Sequence, residues 1–132
     1  MTTEFGCARC YGDDPHAVFD YHRDHGFTGH QPIITKSHFI VSLVHCGQCS
    51  QQFVSIFRES IDWAHGQDPQ YTDLLPVTRA EAETILAAGK DVDLRYLGQL
   101  GEGRRRLSTD WPSDEPQQVM WRHGDFDVRR DY

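Results

Sequence analysis

A chain of 132 residues is the size of one folding unit and can bury a core of its own. A hydrophobic fraction of 38% with Trp 3, Tyr 5 and Phe 7 excludes disorder throughout, and a charged fraction of 25% is ordinary for a wet surface. The formal net charge of -7 is spread evenly, with four basic against seven acidic residues in 1–66 and nine against thirteen in 67–132, which disfavours binding to nucleic acid mainly through phosphates.

The first 30 residues mix a cysteine pair with Gly, Asp, His and aromatic residues and read mostly as loop. Gly12-Asp13-Asp14-Pro15 marks a turn, and residues 17–25 suit a short helix with Val18 and Tyr21 on one side. Residues 33–44 are rich in Ile, Val, Phe and Thr, which favours a strand with Phe39, Val41 and Leu43 facing one way and Ile40 and Val44 the other. Phe53, Val54, Ile56 and Phe57 form a second such run, so the two strands make a hairpin with Cys46-Gly47-Gln48-Cys49 at its tip.

Residues 64–73, with Gly66, Asp68 and Pro69, read as a connecting loop. Thr78 and Glu81 then form a capping box ahead of Ala80, Ala82, Ile85, Leu86, Ala87 and Ala88, and Gly89 suits the left-handed residue after the end. This is the one main helix expected. Residues 92–97 alternate apolar and polar as a strand does, while Gly98, Gly101 and Gly103 argue for turns. Residues 104–111 and 117–123 read as two further strands, and 125–132 as a strand or a tail.

Cys7-Ala8-Arg9-Cys10 and Cys46-Gly47-Gln48-Cys49 have the spacing that a tetrahedral ion demands. Two residues between cysteines let a tight turn aim both sulfurs at one point, and two such knuckles complete four ligands. The pattern resembles the zinc-ribbon fold group, and the second knuckle also resembles that of rubredoxins. That resemblance covers the cysteines and adjoining strands, and it implies a fold element but no activity. The 35 residues between the pairs are then an insertion that does not bear on the metal.

Four-thiolate sites take zinc or iron. Rubredoxin knuckles usually read Cys-Pro-x-Cys-Gly, whereas Gly47 and Ser50 stand in the Pro and final Gly positions here, which favours structural zinc over an electron-transfer iron. Two disulfides in an exported protein, or two redox-active pairs, are the competing readings. The first lacks an export signal at Met1-Thr2-Thr3-Glu4-Phe5-Gly6, and the second lacks the strand-to-helix setting of a thioredoxin-like fold. No stretch nears the roughly 20 apolar residues that span a bilayer, so a cytoplasmic protein away from membranes is expected.

Two further groups are candidates for chemistry. His22, Asp24 and His25 form a possible second polar site, with the alternative that they are exposed loop residues. Asp24-His25, lying between the knuckles, resembles the Asp-His pair of HNH nucleases. That family follows its second knuckle with a histidine on a helix, where this chain has Ser50-Gln51-Gln52-Phe53 opening a strand. Arg104, Arg105 and Arg106 are candidate anion or nucleic-acid contacts, or else a solvated strand face with Arg104 and Arg106 turned outward.

The expected architecture is α+β in a single domain over 1–132, with a zinc-ribbon hairpin in 5–60 and a remainder of small antiparallel sheet and one main helix in 61–132. The expected function is a non-catalytic module whose structural zinc fixes a surface for a protein partner. The alternatives are a nucleic-acid-binding ribbon and a rubredoxin-like iron electron carrier.

Overall fold

The computed structural model describes residues 5–60, 69–112 and 116–128. Its frame is a six-stranded antiparallel sheet in which each strand pairs with the next along the chain. The strands are β1 Phe27–Lys36, β2 Phe39–Cys46, β3 Gln52–Glu59, β4 Gln70–Val77, β5 Arg105–Trp111 and β6 Gln118–His123. Helices α1 Ala8–Tyr11 and α2 Pro15–Arg23 precede the sheet. Helices α3 Arg79–Ala88 and α4 Leu94–Gln99 lie between β4 and β5, with a 3-10 turn Gly89–Asp91 separating them. The class is α+β, and none of these helices is long and apolar enough to cross a membrane.

Helices cover both faces of the sheet, which is why its central strands are apolar on both sides. In β2, Phe39, Val41 and Leu43 join one core while Val44 and Cys46 join the other, as a two-residue period requires. The first core sets Ile34, Val54, Ile56 and Leu75 under Ala82 and Ile85 of α3 and Leu97 of α4. The second sets Phe53, Leu74 and Leu107 under Tyr11 of α1 and Val18 of α2, with Cys10 and Cys46 inside it. Each fully buried Leu, Ile, Val or Phe stabilises the fold by about 1.5–3 kcal/mol.

The expected helix after Thr78 forms with its capping box, Glu81 N–H donating to Thr78 Oγ1 at 3.1 Å and Thr78 N–H to Glu81 Oε1 at 2.8 Å. It is not the one main helix. At nine residues α2 nearly matches the ten of α3, with Asp14 as its cap and Pro15 in its first turn. The short helix expected over 17–25 forms as α2 at Pro15–Arg23, while the rest of the first 30 residues, expected as mostly loop, also supplies α1 and the start of β1.

The apolar run of 33–44 is two strands, because Ser37 and His38 turn the chain and Lys36 pairs with Phe39. Neither has a positive φ, so the turn carries none of the Asn-Gly or Gly signature that marks many hairpins. Gln70 to Asp73, expected as loop, belong to β4, where the Asp73 carboxylate is satisfied by Arg106 and Ser108; residues 64–68 lie outside the described residues. Residues 92–97 open α4 instead of a strand, since the Asp93 carboxylate accepts from Arg95 N–H at 3.0 Å and starts a helix.

Residues 104–111 and 117–123 match β5 and β6 closely. Beyond β6, residues 125–128 form no strand; Phe126 N–H reaches the Gly98 carbonyl at 3.2 Å and Val128 enters the first core. Residues 129–132 lie outside the described residues. The β2–β3 hairpin does not stand apart from the C-terminal strands, since β3 pairs with β4 from Gln52↔Val77 to Glu59↔Gln70.

Candidate metal centre

The first cysteine pair is shaped by Gly6 and α1. Gly6 has φ +67, and a Cβ there would stand 2.6 Å from Cys10 Sγ, so conformation and space both call for glycine. Cys7 caps the helix: its N–H donates to Cys10 Sγ at 3.3 Å, and its carbonyl accepts from Tyr11 N–H at 2.9 Å.

The second pair occupies the turn between β2 and β3. Cys46 N–H donates to the Gln51 carbonyl and Ser50 N–H to the Cys46 carbonyl, both at 2.9 Å, while Gln48 N–H donates to Cys46 Sγ at 3.4 Å. Ser50 takes φ +67, the left-handed region that favours glycine. Gln51 joins the two pairs. Its Oε1 accepts from Gly6 N–H at 3.1 Å, and its Nε2 donates to the Gln52 and Val77 carbonyls at 2.8 Å each.

These turns bring all four sulfurs within 4.8 Å of one another. The Sγ–Sγ distances are 3.8 Å for Cys7–Cys10, 3.9 Å for Cys7–Cys46 and 3.7 Å for Cys10–Cys49. A tetrahedron with metal–sulfur bonds of about 2.3 Å has edges of about 3.8 Å. The cluster is therefore spaced to hold one metal ion. All four cysteines are free, and the sulfurs stand far outside the ~2.05 Å of a disulfide.

The segment between the pairs does bear on the cysteines, contrary to expectation. The Tyr21 hydroxyl of α2 lies 3.1 Å from Cys46 Sγ, and Gly47 N–H donates to the Gly26 carbonyl at 2.8 Å. Burial opposes ionisation of Cys46, but hydrogen bonds from Tyr21 and from the Cys49 and Gln48 N–H groups outweigh it and bring the thiol down to about 6. Burial pushes the Cys10 and Cys49 thiols up. The hydrogen bond to Cys46 raises Tyr21 to about 12. Cys46 is thus set up as a thiolate, and a cation beside it would favour ionisation of Cys10 and Cys49.

The structure does not gather His22, Asp24 and His25 into a site. His22 turns inward onto Phe27, ring centroids 5.1 Å apart, and burial lowers its pKa. Asp24 is exposed and pairs with Arg23 at 3.6 Å, and exposed His25 ends α2 with φ +69. Among the described residues the four cysteines are the one group of three or more His, Cys, Asp or Glu side chains placed to share an ion.

The three arginines are all engaged internally, and Arg104 and Arg106 do not form a solvated face. Arg104 grips both Glu81 oxygens at 2.8 and 3.1 Å and the Pro76 carbonyl at 3.0 Å. Arg105 lies between the rings of Tyr11 and Trp121, 4.3 and 4.2 Å from their centroids, and donates to the Tyr11 and Gly12 carbonyls. Arg106, only 7% exposed, donates to Asp73 at 3.0 Å and to the Gly124 carbonyl at 3.0 Å.

Tyr21, Gln51, Gly6 and Gly26 support the cysteines yet carry no motif of their own. The one local signal was the placement of Tyr21 beside Val18 on the inward side of a helix. No family model, curated protein or solved structure matches this chain.

Proposed function

We propose that Cys7, Cys10, Cys46 and Cys49 hold one structural zinc ion in a zinc-ribbon-like centre. On this reading the chain folds as a single domain and is a cytosolic, non-catalytic module that docks on a protein partner. The sulfur spacing of 3.7 to 3.9 Å carries the metal assignment. Four thiolates close the coordination shell and leave no position for substrate, so the ion stabilises and does not catalyse. Gly47 and Ser50, in place of the rubredoxin Pro and Gly, favour zinc over iron.

Charge supports the docking role. The net charge is -7, and the three consecutive arginines are spent on internal carboxylates and carbonyls. An acidic surface speeds association with a basic partner. The same engagement of Arg104, Arg105 and Arg106 argues against the nucleic-acid-binding alternative.

Elemental analysis of purified protein is expected to give one zinc per chain in a colourless sample; an iron-thiolate colour or a metal-free folded protein would overturn the assignment. Cys46→Ser is expected to lose the ion and to melt at lower temperature, because metal binding is coupled to folding. Metal loss at unchanged Tm would remove the structural role. For the partner, affinity capture from native cells is expected to yield a basic protein whose affinity for the purified chain falls with salt. A shift of nucleic acid at low salt, with no protein partner, would sink the docking reading.

A further inference from the structure

We propose that Tyr21, carried by the segment inserted between the two cysteine pairs, is a positioning residue of the metal centre whose hydroxyl donates a hydrogen bond to the Cys46 sulfur. This rests on the reading of the four cysteines as a metal site. The oxygen–sulfur distance is 3.1 Å, shorter than the backbone contacts to Cys10 Sγ at 3.3 Å and Cys46 Sγ at 3.4 Å. Tyr21 stands 25 residues before Cys46, so tertiary packing alone brings the two together.

That packing is built around the phenol ring. His25, at φ +69, closes α2, and Gly26 N–H turns back to donate to the Tyr21 carbonyl at 2.8 Å. The ring then lies on Gly26, where a Cβ would come within 2.4 to 2.5 Å of three ring atoms. The Gly26 carbonyl accepts from Gly47 N–H inside the second pair. On its other sides the ring meets Phe27 edge-on at 5.7 Å, and Arg9 of the first pair stands 6.0 Å from its centroid. Phe27 pairs in register with Cys46 itself.

The chemistry follows from charge. Four thiolates around a divalent ion carry a net charge of -2, and a donor to one sulfur withdraws part of it. Such outer partners orient ligands and tune the metal, and their loss typically costs at least tenfold in affinity. A phenylalanine at position 21 keeps the ring packing and removes only the donor.

The test uses cobalt(II) as a visible probe in the full chain. Wild type is expected to show the intense thiolate-to-cobalt band of a four-sulfur site. Tyr21→Phe should keep one cobalt per chain and the same far-ultraviolet circular dichroism, but shift that band to longer wavelength and bind cobalt about tenfold more weakly. Gly26→Ala, which displaces the ring without removing the hydroxyl, should shift the band the same way. Tyr71→Phe should leave it unmoved, since that ring packs on Arg58 in the β3–β4 hairpin. A Tyr21→Phe spectrum and affinity equal to wild type would overturn the proposal and leave the metal site standing. Wild type with no thiolate-to-cobalt band would overturn the metal site itself.

Discussion

The Tyr11 hydroxyl and the Arg105 backbone exchange two hydrogen bonds: the hydroxyl donates to the Arg105 carbonyl at 2.8 Å and accepts from its N–H at 3.1 Å. The pairing of β4 with β5 ends at Leu74↔Leu107, so beyond that point Tyr11 takes the place of a ladder partner. The residue after Cys10 is thereby fastened to the C-terminal hairpin, and the candidate metal centre is tied to the far strands of the sheet. Tyr11→Phe keeps the ring and strands these backbone groups. It is expected to lower stability by about 1–3 kcal/mol, seen as a lower urea midpoint at unchanged m-value. An unchanged midpoint would show that β5 draws no support from α1.

A second tie crosses the other face. Asp73 Oδ1 accepts from Arg106 Nε and Ser108 Oγ, and Arg106 is stacked 3.9 Å from the Phe126 ring centroid. Removing the carboxylate leaves a buried cation uncompensated, so Asp73→Ala is expected to cost about 3–5 kcal/mol. Replacing both partners, as Asp73→Leu with Arg106→Met, should cost much less than the two single changes summed. A double-mutant cycle additive to within about 0.5 kcal/mol would show that the pair is not coupled.

What the sequence made legible was local. The alternation of β2 and β3, the capping box of Thr78 and Glu81, and the two cysteine pairs each lie within a few residues, and each appears in the structure. What it hid depends on partners far along the chain. Arg104 and Arg106 read as a solvated face because Glu81 and Asp73, 23 and 33 residues away, carry no mark of pointing inward to meet them. The Tyr21–Cys46 contact is hidden for the same reason. The β1–β2 turn leaves no mark in the sequence because it needs no left-handed residue, while the left-handed non-glycine positions among the described residues, His25 and Ser50, have side chains that give no sign of it.

Acid should weaken the bond between α3 and Arg104, the residue that leads into β5. Burial opposes ionisation of Glu81, but the Arg104 guanidinium and the Thr78 N–H outweigh it and hold the carboxyl below its ordinary value. A depressed folded pKa means the unfolded chain takes up the proton first. The stabilisation is therefore full above the unfolded value of about 4.3 and is lost as pH falls through the folded one. Glu81→Gln is expected to be about 1–2 kcal/mol less stable than wild type at neutral pH. That gap should shrink as pH falls below the unfolded value of about 4.3 and through the depressed folded one, whereas titration of the cysteines affects both proteins alike. A gap independent of pH would remove the linkage.

Ser50 offers the opposite kind of change, a gain. Its φ of +67 places a side chain in a conformation that costs about 1–2 kcal/mol for an ordinary residue. Glycine removes that strain but adds about 0.5–1 kcal/mol of unfolded-state entropy. The serine side chain is exposed, so little is lost with it. Ser50→Gly should raise stability by about 0.5–1 kcal/mol, or Tm by roughly 2–4 °C in the metal-loaded protein. Ser50→Val, which puts a β-branched side chain at the same φ, should do the reverse and by more. Because the Ser50 N–H closes onto the Cys46 carbonyl, both changes should be felt at the cysteines. Valine should weaken metal retention along with Tm, and a valine variant that melts lower yet holds its metal as wild type does would show that the turn and the ion are not coupled.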